Sequence, residues 1–170
     1  MHYDIGTGEG KWGIVSESGG FPGKDYGDML LGTYSHSLDS KGRLIVPAKL
    51  RESLGDSFVI TKSLDHCLAI YPNEGWENFI GKIETLPKIS SEPARRLRRF
   101  YFGNSQTIEV DKQGRILIPA NLRDYAGLTR DAVLIGVNDH VEIWDSESWE
   151  RYNDSIDVNE IVDDLTGLEL

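Results

Sequence analysis

The chain is poor in the residues that most often carry chemistry. Cys67 is the single cysteine among 170 residues, which excludes an internal disulfide and any cysteine-cluster metal centre and leaves it to read as a small half-buried side chain. The four histidines stand in no metal-ligand spacing, and His66 and His140 fall in equivalent turns, where an isolated histidine reads as a surface residue. Ser and Asp occur without a nucleophile elbow, and no glycine-rich phosphate loop precedes a helix. No enzyme activity, cofactor or small-molecule substrate is therefore expected. No apolar run approaches the roughly 20 residues that a membrane-spanning helix needs. The N-terminus lacks a basic segment followed by an apolar one, so no signal peptide is expected and the cytosol is the implied compartment.

Positive charge is also scarce, with 18 Lys and Arg against 28 Asp and Glu for a net charge of −10. Taken over the whole chain, this balance argues against a polyanionic partner. Divided along the chain, it does not: residues 1–31 carry 2 basic and 5 acidic groups, 145–170 carry 1 and 9, and 32–144 carry 15 and 14. The body is near neutral and can hold local basic surface, while the acidic ends keep the protein soluble or screen that surface until a polyanion displaces them.

What the chain does have is an internal duplication. Asp39-Ser40-Lys41-Gly42-Arg43-Leu44-Ile45-Val46-Pro47-Ala48-Lys49-Leu50-Arg51 returns as Asp111-Lys112-Gln113-Gly114-Arg115-Ile116-Leu117-Ile118-Pro119-Ala120-Asn121-Leu122-Arg123, and 8 of the 17 positions from 39 to 55 are identical across the offset of 72. Each copy reads as a turn, a short strand and a helix start. The Asp39 carboxylate can accept from N–H groups ahead of it, and Gly42 can take the positive φ that such a turn demands. Leu44-Ile45-Val46 is suited to a buried strand, and Pro47 ends it and opens a helix. Thr33 to Leu38 alternates like an edge strand and is expected to pair across the Asp39 turn with 44–46.

The rest of the first copy reads as a helix over 48–54 and strands over 58–61 and 68–71. The second reads as strands over 107–110 and 116–118, a helix over 120–126 and strands over 132–135 and 141–144. Between the copies, Trp76, Phe79, Ile80 and Ile83 stand at helical spacing up to Pro87. A second helix should start at Ser90 or Ser91 and run through Tyr101. It carries Arg95, Arg96, Arg98 and Arg99, which read equally as phosphate contacts or as a solvated or subunit-contacting face. The implied organisation is a disordered arm over 1–31, repeats over 32–79 and 103–152, linking helices over 80–102 and an acidic tail over 153–170 that forms at most a weak helix. Met29 directly precedes the first strand, and the segment before it is expected to be dispensable.

The doubled Asp-x-x-Gly-Arg-(apolar)₃-Pro-x-x-Leu-Arg unit, at 39–51 and 111–123, resembles the MraZ family of bacterial transcriptional regulators, related to the AbrB and MazE swapped-hairpin DNA-binding proteins. The resemblance covers about residues 30–152. It implies a mostly β fold with helices, a double-split, swapped-hairpin β pseudo-barrel built from two tandem AbrB-like repeats. It also implies ring-like self-assembly, double-stranded DNA as partner, nucleoid association and action on repeated elements upstream of the protein's own division and cell-wall operon.

The residues themselves fit a DNA reader. A hairpin end is narrow enough for a groove, arginine can donate bidentately to guanine, and lysine meets phosphate as a point charge. Arg43 and Arg115 are thus candidate base readers, and Lys41 and Lys112 candidate phosphate contacts. Asp39, Gly42, Asp111 and Gly114 organise the turns. The competing reading of each Asp–Arg pair is an ion pair that only holds its turn. Arg51 and Arg123 read as structural, capping a helix or bridging the two halves. The alternative of another class is an antitoxin-like interaction module whose acidic tail binds a basic partner.

Overall fold

The two copies of the repeat do not fold side by side; they exchange strands. The computed structural model describes residues 29–85 and 91–165. Of the arm expected over 1–31, residues 1–28 lie outside the described residues, as do the Pro87 stop and Ser90, while Leu30 and Leu31 belong instead to the first strand. The elements in chain order are β1 (Leu30–Ser37), β2 (Arg43–Ile45), α1 (Ala48–Leu54), β3 (Ser57–Lys62), β4 (Leu68–Pro72), α2 (Asn73–Glu84), α3 (Glu92–Phe102), β5 (Gln106–Glu109), β6 (Arg115–Leu117), α4 (Ala120–Ala126), β7 (Asp131–Asn138), β8 (Val141–Asp145), α5 (Ser146–Asp154) and α6 (Val158–Asp164). Six strands form one antiparallel sheet in the order β1-β7-β8-β4-β3-β5, and β2 pairs with β6 in a separate two-stranded ribbon. Exchanging the two repeats reverses the sheet order onto itself, so the chain contains its own pseudo-two-fold axis between β4 and β8.

This arrangement corrects one expected pairing. The segment before Asp39 does not form a ladder with 44–46. Asp39 N–H donates to the Arg43 carbonyl at 2.9 Å and Gly42 N–H to the Asp39 carbonyl at 2.9 Å. Beyond that turn the strands part: β1 runs along β7 from Leu30↔Asn138 to Ser37↔Asp131, and β2 joins β6. In the second copy β5 likewise leaves β6 to pair with β3. Alternation along a strand reports which face is covered but not which neighbour covers the edge.

The core lies between one face of the sheet and a lid made of the ribbon with α1 and α4. Leu44, Val46, Leu50, Phe58, Ile60 and Ile70 from the first copy share one buried cluster with Ile116, Ile118, Leu122, Leu134 and Ile143 from the second. Burying one such side chain contributes about 1.5–3 kcal/mol, and because both copies line the same cluster, neither can bury its own apolar face. The other face of the sheet carries α2, α3 and α5. Thr61 alternates with the core residue Ile60 and donates from Oγ1 to the Tyr101 carbonyl at 3.4 Å, which puts α3 on the face opposite the ribbon.

Helix α3 starts as its sequence demands, with the Ser91 hydroxyl accepting from Ala94 N–H at 3.3 Å and Pro93 in the first turn. The acidic tail holds a definite helix, α6, whose N-cap Asp157 accepts from Asn159 N–H at 2.9 Å. Cys67 is fully buried rather than half-buried, and burial pushes its thiol up to about 12, so it stays inert. His66 is exposed, but His140 is half-buried, stacked on Tyr71 at 4.7 Å with its Nδ1 2.7 Å from Asp139 Oδ1. The flanking carboxylates and the Tyr71 ring give it the partners that an isolated turn histidine lacks. No helix among the described residues is long and apolar enough to cross a membrane.

Candidate nucleic-acid interface

Each turn is built around one carboxylate. Asp39 Oδ1 accepts the backbone N–H groups of Lys41 and Arg43, both at 2.9 Å, while Oδ2 accepts Arg43 Nε at 2.6 Å. Asp111 repeats the pattern, taking the N–H groups of Gln113 and Arg115 at 2.9 Å and Arg115 Nε at 2.8 Å. The Arg43 backbone N–H, with its side chain and the Lys41 N–H, outweighs partial burial and brings Asp39 down to about 2. Asp111 is lowered by the same contacts from Arg115 and Gln113.

The glycines serve these turns twice over. Gly42 has φ +79° and Gly114 φ +78°, a left-handed conformation that other residues enter at a cost. In addition, the guanidinium of Arg123 occupies the space a Cβ on Gly42 would need, and the guanidinium of Arg51 lies 3.0 Å from the position of a Cβ on Gly114. Each copy's helix arginine therefore seats against the other copy's turn. Arg51 is fixed there by donating from Nε to the Val46 carbonyl at 3.0 Å. The backbones cross as well, Val46 N–H to the Gly114 carbonyl at 2.9 Å and Ile118 N–H to the Gly42 carbonyl at 3.0 Å. The two hairpin tips are thus locked into one unit.

In the ribbon register, Arg43 faces Leu117, Leu44 faces Ile116 and Ile45 faces Arg115. Leu44 and Ile116 are fully buried, so strand alternation turns Arg43, Ile45, Arg115 and Leu117 outward. Ile45 is 44 % exposed and Leu117 58 % exposed. The 44–46 run is therefore buried only at alternate positions, because the ribbon has protein on one side alone. Sequence reasoning missed these two outward apolar residues; their interruption of an otherwise charged surface is visible only once the face is known.

The arginines are not equivalent. Arg43 spends its Nε on Asp39, which fixes the guanidinium plane and leaves its Nη groups for an outside acceptor. Arg115 engages Asp111 through both Nε and Nη2, each at 2.8 Å, and its Nη1 lies 3.9 Å from Asp39 Oδ2. Surface pairs of this kind contribute only about 0–1 kcal/mol, so their main effect is orientation. Lys41 and Lys112 are exposed at the tips. Arg95, Arg96, Arg98 and Arg99 are not brought to the tips, since α3 lies across the sheet from the ribbon. There Arg96 pairs with Glu92 at 2.9 Å, Arg98 lies over the Phe102 ring at 5.2 Å, and Arg99 is exposed.

A family model described as "MraZ protein, putative antitoxin-like" matches residues 29–100 and 101–166. The chain belongs to the MraZ family. It is 49 % identical over 144 residues to "Transcriptional regulator MraZ" of Thermoanaerobacter sp. (strain X514), covering 84 % of this chain and 100 % of the relative. It is 50 % identical over 141 residues to the protein of the same name in Clostridium beijerinckii, covering 82 % and 99 %. The MraZ protein of Desulforamulus reducens is 51 % identical over 125 residues, 74 % of this chain and 87 % of the relative. The two matches to the MraZ model follow the duplication seen in the sheet, one per copy of the hairpin.

Proposed function

We propose that the chain is a sequence-specific DNA-binding transcriptional regulator whose β2–β6 ribbon and two locked turns enter a DNA groove. The observation that carries this reading is the outward row of Arg43, Ile45, Arg115 and Leu117 on a rigid ribbon with a lysine at each tip. A two-stranded ribbon fits the major groove, which is about 12 Å wide. Arg43 and Arg115 donate to guanine O6 and N7, Ile45 and Leu117 meet thymine methyls, and Lys41 and Lys112 hold phosphates. The name shared by the relatives supports the regulatory role.

One ribbon covers few base pairs, and a chain of net charge −10 cannot rely on bulk attraction. Useful affinity then comes from several copies meeting several sites. The protein accordingly self-associates in a ring-like homo-oligomer and acts, on the nucleoid in the cytoplasm, at repeated elements upstream of its own division and cell-wall operon. Arg95, Arg96, Arg98 and Arg99 serve phosphate or subunit contacts outside the ribbon. The test is selection of bound fragments from the source genome followed by a salt series on the winner. Enrichment of a repeated element and affinity falling steeply with salt are expected. Recovery of random fragments would overturn the reading.

A further inference from the structure

The duplication lets each half serve as a template for the other, and one part of the template is missing its counterpart. In the first half, α3 follows α2 and returns to cover the outer face of β3. There its Tyr101 packs on Phe79 at 4.9 Å, its Phe102 meets Trp76 at 6.5 Å, and Thr61 beneath is fully buried. The corresponding residues of the second half are Tyr152, Trp149 and Ile135. Trp149 and Tyr152 pack on Trp144 at 5.5 and 4.9 Å, as Trp76 and Phe79 pack on Tyr71. Among the described residues no second ring comes over them as Tyr101 and Phe102 do, and Tyr152 is left 42 % exposed. On the same outer face, Val137 and its cross-strand partner Leu31 are 37 % and 49 % exposed. Among the described residues nothing fills the seat for one helix that is lined there by Leu31, Ile135, Val137, Trp149 and Tyr152.

The helix that holds the α3 place in the second half is α6. Its Val158, Ile161, Val162 and Leu165 fall at the i, i+3, i+4, i+7 spacing of a single apolar stripe, and all four are exposed. Exposed along its whole stripe, α6 does not occupy the seat in its own chain. A helix left unpartnered in its own chain can fill the same seat in a neighbour, an exchange of one element between copies.

We propose that α6 of one copy docks its Val158-Ile161-Val162-Leu165 stripe into the open seat over β7 and β1 of a second copy. The contact is head to tail, so each copy offers one helix and one seat and repetition closes a ring. It rests on the self-association in the proposed function and names the surface that produces it.

Two measurements test this on the full chain. In light scattering, Ile161→Asp combined with Val162→Asp, and separately Tyr152→Ala, are expected to lower the assembled mass while circular dichroism keeps the fold. A wild-type chain that is monomeric overturns the self-association reading itself. A wild type that assembles, with all variants assembling equally, overturns this contact alone. In the second measurement, a Cys67→Ala chain with Val162→Cys is mixed with a Cys67→Ala chain with Val137→Cys, so that a disulfide joining the two sites can form only between copies. A mixed cross-linked dimer, at least 10-fold above that from either chain alone, is expected. Its absence overturns the docking. So does a disulfide that forms only within one chain carrying both cysteines, or capture of α6 by a basic partner that leaves the assembly intact.

Discussion

An aspartate that accepts two backbone N–H groups and a guanidinium holds its charge until the solution is strongly acidic. Asp39 falls from its ordinary 3.8 to about 2 in the folded chain. Its contribution to stability is therefore complete above the unfolded value and is lost as pH falls through the folded one. Asp39→Asn should flatten the loss of melting temperature between pH 4 and pH 2, and an unchanged acid profile would place the stabilising charge elsewhere. Arg43 depends on that carboxylate for its direction. Arg43→Ala should weaken specific DNA by roughly 5- to 150-fold, the equivalent of about 1–3 kcal/mol, with a smaller loss on random DNA. Arg115, doubly engaged by Asp111, should show the lesser effect, and equal losses on both DNAs for Arg43→Ala would reduce its part to holding the turn. Gly42→Ala should destabilise the chain by about 1–3 kcal/mol, read from denaturant melts, because it strains a left-handed residue and displaces Arg123. The Asp-x-x-Gly-Arg pattern made the turn legible in the sequence. The seating of Arg123 on Gly42 and of Arg51 on Gly114 was legible only as a structural role, capping or bridging, since no local pattern says which glycine an arginine 81 or 63 positions away will reach.

Helices α1, α4 and α3 and the strands of the six-stranded sheet could be placed from propensity, proline positions and caps, all of which act within a few residues. The partner of β1 could not, because its ladder joins residues about 100 positions apart and depends on the whole buried face being completed. The β7–β8 turn shows the same limit, for its two histidine-bearing relatives look alike in sequence and differ in surroundings. Burial works against charging His140, but the carboxylates of Glu142, 3.9 Å from its Nε2, and of Asp139, which accepts from its Nδ1 at 2.7 Å, prevail and raise it above its ordinary 6.5. Glu142 is lowered in turn: burial opposes its charge, and the neighbouring His140 ring together with the hydrogen bond from Trp144 Nε1 at 2.8 Å overcomes that. The turn is therefore most stable below the unfolded histidine value and loses that increment as pH rises through the folded one. Thermal melts from pH 6 to pH 8.5 should show a decline that His140→Gln abolishes. A parallel decline in the variant would mean that another group titrates.

At the scale of the whole molecule, strand exchange makes the two halves one cooperative unit. Residues 30–87 expressed alone should be unfolded or should dimerise to recover the missing partners of β2 and β3, and a stable monomer would contradict the shared core. DNA carrying three repeats should bind the full protein far more tightly than DNA carrying one, while equal affinity would remove the role of multiple attachment.

The pseudo-two-fold axis between β4 and β8 is broken at the tips, where Ser40-Lys41 on one turn stands opposite Lys112-Gln113 on the other. A dimer of identical chains reads a site equally well in either orientation, and its two contact surfaces must change together. Fusing the copies removes both constraints: one gene can alter one tip and leave the other untouched, and a bound molecule can tell the two directions along the duplex apart. Sites recognised in this way have a polarity, and a row of them serves a head-to-tail array only when all point the same way.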